Sequence, residues 1–204
     1  MNKIIIYDCE IIKCLPSLQK KLEPNFMYCQ GWNDFCNMGI SVIAFQVLED
    51  LQDVNNRFYY FTNPNNLIPY TFEKLNDFLD STFFVIGFNT KKFDDKLMRA
   101  NGMKIKTNYD LLEEIRRAGY GSPQWKHQPK HWNYTLEAIA RANGMSKTGS
   151  GDLAPQLWQQ GKHQMVVDYC LNDVKLTNQI LKLGLSGQLI DPNTGKYLTL
   201  KTLF

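Results

Sequence analysis

The chain has 204 residues, enough for one sizeable domain with its own core and short of two. Hydrophobic residues make up 44% and charged residues 21%, an ordinary globular balance that argues against disordered and low-complexity classes. The formal net charge of +3 permits a nucleic-acid partner without arguing for one, and no apolar run approaches the length of a membrane span.

The N-terminus enters a strand directly, without the basic start, apolar stretch and cleavage site of a leader, so a cytoplasmic location is expected. The five cysteines (Cys9, Cys14, Cys29, Cys36, Cys170) are scattered and lack CxxC spacing, which reads as reduced thiols and not as a zinc site.

Residues 3–10 read as the first strand. Residues 11–37, rich in Lys, Pro, Asn and Cys, read as an irregular excursion with no assignable role. ISVIAFQVLE (40–49) and RFYYFT (57–62) follow as strands around the turn-like DLQDVNN, giving a three-stranded antiparallel start. TFEKLNDFLD (71–80) has helical spacing at Phe72, Leu75, Phe78 and Leu79. TFFVIGFN (82–89) is a continuous apolar run, as in a strand buried on both faces, and a helix is expected over about 92–101. KIKTNYD suits a fifth strand, with Asp110 as N-cap of LLEEIRRAG and Glu113 completing a capping box. TLEAIARANG is helical, capped by Thr135 and stopped by Gly144. A long helix over about 164–183 precedes a hairpin around PNTG. This order predicts an α/β domain with a mixed sheet.

Asp8 and Glu10 lie two apart on the first strand and share a face with Ile4 and Ile6. Two like charges beside a buried strand need positive compensation, and a hard divalent cation supplies it. A strand that simply ends in solvent at Tyr7 explains the pair as well. Asn89 leaves the C-terminal end of the central strand and Asp94-Asp95 open the next helix, where α/β sheets place their sites. First-turn acids are also ordinary helix-dipole partners. On the long helix, Val166, Cys170, Val174, Thr177 and Leu181 form an apolar stripe with Asp173 at its edge and Tyr169 one turn before it. Pairing with a basic residue at the core edge is the bland account of Asp173.

Together these residues resemble a known family. IYDCE resembles the D-x-E first motif of the DEDD 3′–5′ exonucleases, GFNTKKFD their second, N-x-x-x-F-D, and YCLNDV their third in its Y-x-x-x-D form. The resemblance covers about residues 3–183 and is nearest to proofreading domains of B-family DNA polymerases and to stand-alone exonucleases of the tyrosine subgroup. It implies a ribonuclease H-like fold, with a mixed five-stranded sheet in order 3-2-1-4-5 flanked by helices. Residues 1–204 then form one domain, with its core over about 3–183 and a C-terminal hairpin over about 188–200. It implies two divalent ions, Mg²⁺ or Mn²⁺, held by Asp8, Glu10, Asp94 and Asp173, with Tyr169 aiming the attacking water. The implied reaction releases nucleoside 5′-monophosphates from single-stranded DNA 3′ ends. An exoribonuclease and a non-catalytic nucleic-acid-binding module are the alternatives. With no polymerase or helicase domain read on this chain, proofreading is expected to act in trans with a replication or repair partner, and repair, nucleotide salvage and defence roles stay open.

Asn89 would touch the terminal sugar or base. Trp125, Lys126 and Trp132 lie in GYGSPQWKHQPKHWN, where aromatic faces and cations suit single strands, although a solvated loop with two anchoring tryptophans fits that composition better. Lys147 lies in SKTGSGD, which could cradle a phosphate but lacks P-loop spacing and reads by default as a connector. Cys9, aliphatic in the family, alternates away from the acids and is expected to take no chemical part. His163 and Asp168 also fit H-x-x-x-x-D, the third motif of the sister group. Asp168 and Asp173 stand ~140° apart around a helix, and the apolar stripe selects Asp173.

Overall fold

The structure is a computed structural model and describes residues 3–19, 21–49, 57–62, 75–76 and 84–203. Its centre is a five-stranded mixed sheet in the order β3-β2-β1-β4-β5. Strand β1 (Ile4–Ile11) is antiparallel to β2 (Ile40–Leu48), which is antiparallel to β3 (Arg57–Thr62). On its other side β1 runs parallel to β4 (Phe84–Gly87), and β4 to β5 (Tyr109–Asp110). The sheet is the one expected, although β5 is much shorter than KIKTNYD suggested.

Six helices are labelled here. Helix α1 is Phe35–Met38, α2 Asp94–Ala100 and α3 Leu111–Tyr120. Helix α4 is Leu136–Ala142, α5 Ala154–Gln159 and α6 His163–Leu185. Of the helix expected over 71–80, Leu75 and Asn76 are described and helical; its other residues and the turn DLQDVNN lie outside the described residues, apart from Glu49 before that turn and Arg57 after it. The C-terminal hairpin pairs β6 (Leu189–Ile190) with β7 (Tyr197–Leu198).

Strand alternation builds two cores. Ile4 and Ile6 pack with Val166, Val174 and Leu181 of α6 on one face. Ile5 and Tyr7 pack with Leu97 and Met98 of α2 on the other. Asp95 joins the second face: it accepts from the Tyr7 hydroxyl and from Thr107 N (3.1 Å) and Oγ1 (2.8 Å). That buried acid is fully engaged in holding α2 to the sheet.

Caps set the ends of the helices that frame the site. Thr135 Oγ1 accepts from Ala138 N at 3.2 Å, and Gly144 turns the chain after α4 with φ +72°. Asp110 accepts from Leu112 N and Glu113 N, as an N-cap should. The expected reciprocal bond is replaced: Glu113 Oε2 pairs with Lys91 Nζ at 3.0 Å. Asp110 also accepts from Asn89 N and Lys91 N, so the loop after β4 is pinned to the start of α3.

Hydrogen bonds tie described parts of the excursion 11–37 together. Cys14 N donates to Met27 O (2.9 Å) and Cys29 N to Cys14 O (3.1 Å), while Gln159 Nε2 of α5 donates to Ile12 O (2.8 Å) and Met27 O (3.1 Å). All five cysteines are free thiols.

Candidate active site

Strand β4 pairs with β1 only as far as Ile6↔Ile86, so past Ile6 that edge of β1 is open. The register of β1 against β2 also shifts at Glu10/Ile11, a bulge of the kind common beside active sites. A cleft of about 550 Å³ opens there. Asp8, Glu10, Asp94, Tyr169 and Asp173 all line it, so the three sequence motifs meet in space.

Each acid arrives by a distinct route. Asp8 and Glu10 follow Ile4 and Ile6 on the α6 face of β1. Asp173 and Tyr169 come from α6, buried at 5% and 6% exposure beside the stripe Val166, Cys170, Val174, Thr177 and Leu181. Asp168 faces solvent, where it accepts from Gln164 Nε2, and His163 stacks on Trp158 with ring centroids 4.1 Å apart. Neither lines the cleft. Asp94 comes from α2, on the opposite side of the sheet, and reaches round the open edge of β1. Its Oδ1 accepts from Cys9 N (3.3 Å) and Cys9 Sγ (3.1 Å). The alternation argument placed Cys9 away from the acids; it is correct for three of them and fails for the fourth, which approaches from the Cys9 side.

The electrostatics follow from crowding. Burial raises the proton affinity of all four carboxyls. Asp8 is pushed well up by burial, then by Asp94 and Asp173, and Glu10 by burial, then by Asp8 and Asp173. Asp94 is pushed up to about 7, chiefly by burial, against the lowering effect of the Cys9 thiol. Asp173 is raised by burial, with Lys147 pulling the other way. Tyr169 is raised far above the usual phenol range by burial and by Glu10, Asp173 and Asp8.

Lys147 Nζ lies 2.7 Å from Asp173 Oδ2 and 5.0 Å from the centre of the Tyr169 ring. The loop carrying it is therefore not a mere connector. A Cβ on Gly149 would fall 2.6 Å from Tyr169 Cδ2, so this loop lies directly against the ring and tolerates no side chain there.

These residues fit a hard divalent cation. Lys147 pairs with one of the four carboxyls, and Asp173 Oδ1 is buried with no hydrogen-bond partner among the described residues. Ligand atoms of Asp8, Glu10 and Cys170 come within 4.8 Å of one another. Cys170 was read from sequence as a reduced thiol in the apolar stripe; its thiol lies 3.5 Å from Asp8 Oδ2.

Asn89 lines the cleft in a left-handed conformation (φ 63°), tolerable for asparagine. Trp125, 65% exposed, and half-buried Trp132 border it too, whereas exposed Lys126 does not. The excursion 11–37 contributes Trp32, which meets Phe93 edge-on at 5.9 Å on the cleft wall. Arg116 of α3 is a further lining residue that the sequence reading missed.

No family model and no curated protein sequence matches the chain. Solved structures do. The family B DNA polymerase of the archaeon Pyrobaculum calidifontis superposes over 96% of this chain and 26% of its own, with TM-score 0.59 and 14% identity. A product-bound exonuclease I matches over 91% of this chain and 44% of its own (TM-score 0.52, 13% identity). E. coli exonuclease I in complex with a 5cy-dT13 oligonucleotide matches over 92% and 41% (TM-score 0.53, 13% identity). The chain thus has the ribonuclease H-like fold that these proteins share, and spans less than half the length of each. Among the described residues, no helix is long and apolar enough to cross a membrane.

Proposed function

We propose that this chain is a metal-dependent 3′–5′ exonuclease acting on single-stranded DNA ends and releasing nucleoside 5′-monophosphates. The observation that carries the reading is the meeting of Asp8, Glu10, Asp94, Asp173 and Tyr169 in one cleft. Those residues come from three separate segments, and no packing need draws four acids together. The fold shared with a B-family polymerase and with an exonuclease I solved on an oligonucleotide supports the same reading.

In this reading the four acids hold two divalent ions, Mg²⁺ or Mn²⁺. The chemistry such ions supply is Lewis-acid activation of water and neutralisation of charge at the phosphodiester. Tyr169 keeps its proton at every physiological pH, so it acts as a hydrogen-bond donor that aims the water and not as a base. Lys147 fixes Asp173 and keeps a positive charge at the cleft wall, facing the phosphate. Trp125, Trp132 and Trp32 offer faces for unstacked bases, and Asn89 reaches the terminal nucleotide.

The test is digestion of 5′-labelled oligomers, DNA and RNA, single and double stranded. With Mg²⁺ or Mn²⁺, single-stranded DNA should give a ladder of shortening products, and EDTA should abolish it. Hydrolysis that survives chelator contradicts the metal chemistry, and cutting of circular single strands contradicts attack from an end. Faster digestion of RNA than of DNA reassigns the substrate.

A further inference from the structure

Arg116 is 7% exposed, yet its Nε and Nη1 are buried without a hydrogen-bond partner among the described residues. A guanidinium cannot shed its charge at neutral pH, so burying it unpaired is costly. The nearby acids on α3 are already engaged: Glu113 pairs with Lys91 and Glu114 with Arg117. Arg116 borders the same cleft as the four acids. One turn further along α3, Tyr120 joins Trp132 and Tyr134 in an aromatic cluster, with centroids 6.0–6.3 Å apart. The wall therefore combines flat apolar faces with one buried, unspent cation.

We propose that Arg116 is the anchor for a backbone phosphate of the bound strand. A phosphate supplies the missing negative charge and acceptor oxygens, and its geometry matches the guanidinium fork. The assignment rests on the nuclease reading and adds to it a strand contact made by the protein itself, with no ion between.

The test is fluorescence anisotropy with a 5′-labelled oligothymidylate in Ca²⁺ buffer, titrated with NaCl, with the strand checked for intactness afterwards. Arg116→Gln should weaken binding about 10- to 100-fold, as for a lost charged hydrogen bond. It should also lower the slope of log K against log salt by about 0.7, one phosphate's worth on a single strand. In a series of oligomers that each carry one uncharged methylphosphonate linkage, one position should weaken wild-type binding by a similar factor and leave the variant indifferent. Arg116→Lys should keep the salt slope while losing part of the affinity. The free Arg116→Gln protein should melt near wild type, because Nε and Nη1 have no hydrogen bond to lose among the described residues; a melting point well below it assigns Arg116 to the fold and overturns the proposal. A wild-type chain that binds while Arg116→Gln equals it in affinity and slope overturns this assignment alone. A wild-type chain that binds no oligonucleotide overturns the nuclease reading, and this assignment with it.

Discussion

Crowded carboxyls should make the metal-free protein lose stability as pH rises, opposite to the behaviour of proteins whose acids are salt-bridged. Asp94 is the best-defined case. Its carboxyl rises from 3.8 to about 7 on folding, chiefly by burial. Between those values the folded chain holds a proton that the unfolded chain has released. The stability tied to that proton is therefore full below pH ~4 and lost as pH climbs through ~7. At about 1.4 kcal/mol per tenfold change in proton affinity, Asp94 alone accounts for about 4 kcal/mol. Asp8, Glu10 and Asp173 shift in the same direction. About 3 kcal/mol of the Asp94 contribution is lost between pH 5 and pH 8, and for a chain of this size 1 kcal/mol moves the melting temperature by about 2–4 °C, so Asp94 alone gives an expected fall of about 6–12 °C over that window. Scanning calorimetry in chelator measures it. Millimolar Mg²⁺ or Mn²⁺ should remove most of the fall, since cations stabilise the ionised acids. Asp94→Asn should make the metal-free fall smaller, with the part due to Asp8, Glu10 and Asp173 remaining. A metal-free melting temperature that stays level or climbs from pH 5 to pH 8 would refute the view that these acids are held together against their own repulsion.

Asp173→Asn should abolish turnover while Asp168→Asn and His163→Ala stay within a few-fold, because only the first changes the cleft; single-turnover rates on labelled DNA decide it, and a dead Asp168→Asn with an active Asp173→Asn would overturn the assignment. Tyr169→Phe should slow hydrolysis about 10- to 1,000-fold with metal binding intact by calorimetry, since it removes one positioning hydroxyl and no ligand; loss of metal affinity in this variant would show that the role is misassigned. Gly149→Ala should displace the Tyr169 ring or its loop and slow turnover at least tenfold with a melting temperature near wild type, whereas unchanged kinetics would mean that this loop does not set the tyrosine.

How much of this could be read in the chain depended on whether the determining contact was local. Strand alternation in β1 put Ile4, Ile6, Asp8 and Glu10 on one face, and the stripe on α6 separated Asp173 from Asp168, because both are periodicities of a single element. The caps at Asp110 and Thr135 were legible for the same reason. The Cys9–Asp94 contact was not, because it arises where α2 comes round an edge that β4 leaves unpaired after Ile86. Nor was the grip of Lys147 on Asp173, which joins residues far apart in sequence through a loop whose composition suggested a spacer. Trp32 was hidden in an excursion with no periodicity to read. Arg116 did leave a trace. Leu112, Ile115, Arg116 and Gly119 fall at i, i+3, i+4 and i+7, so the arginine stands on the buried face of α3, where a charge has no business unless something comes to meet it. Asp173 at the edge of its own stripe was noticed by the same reasoning. A charge beside an apolar stripe is thus a long-range feature that a single helix betrays, and Asp173 and Arg116 both line the same cleft.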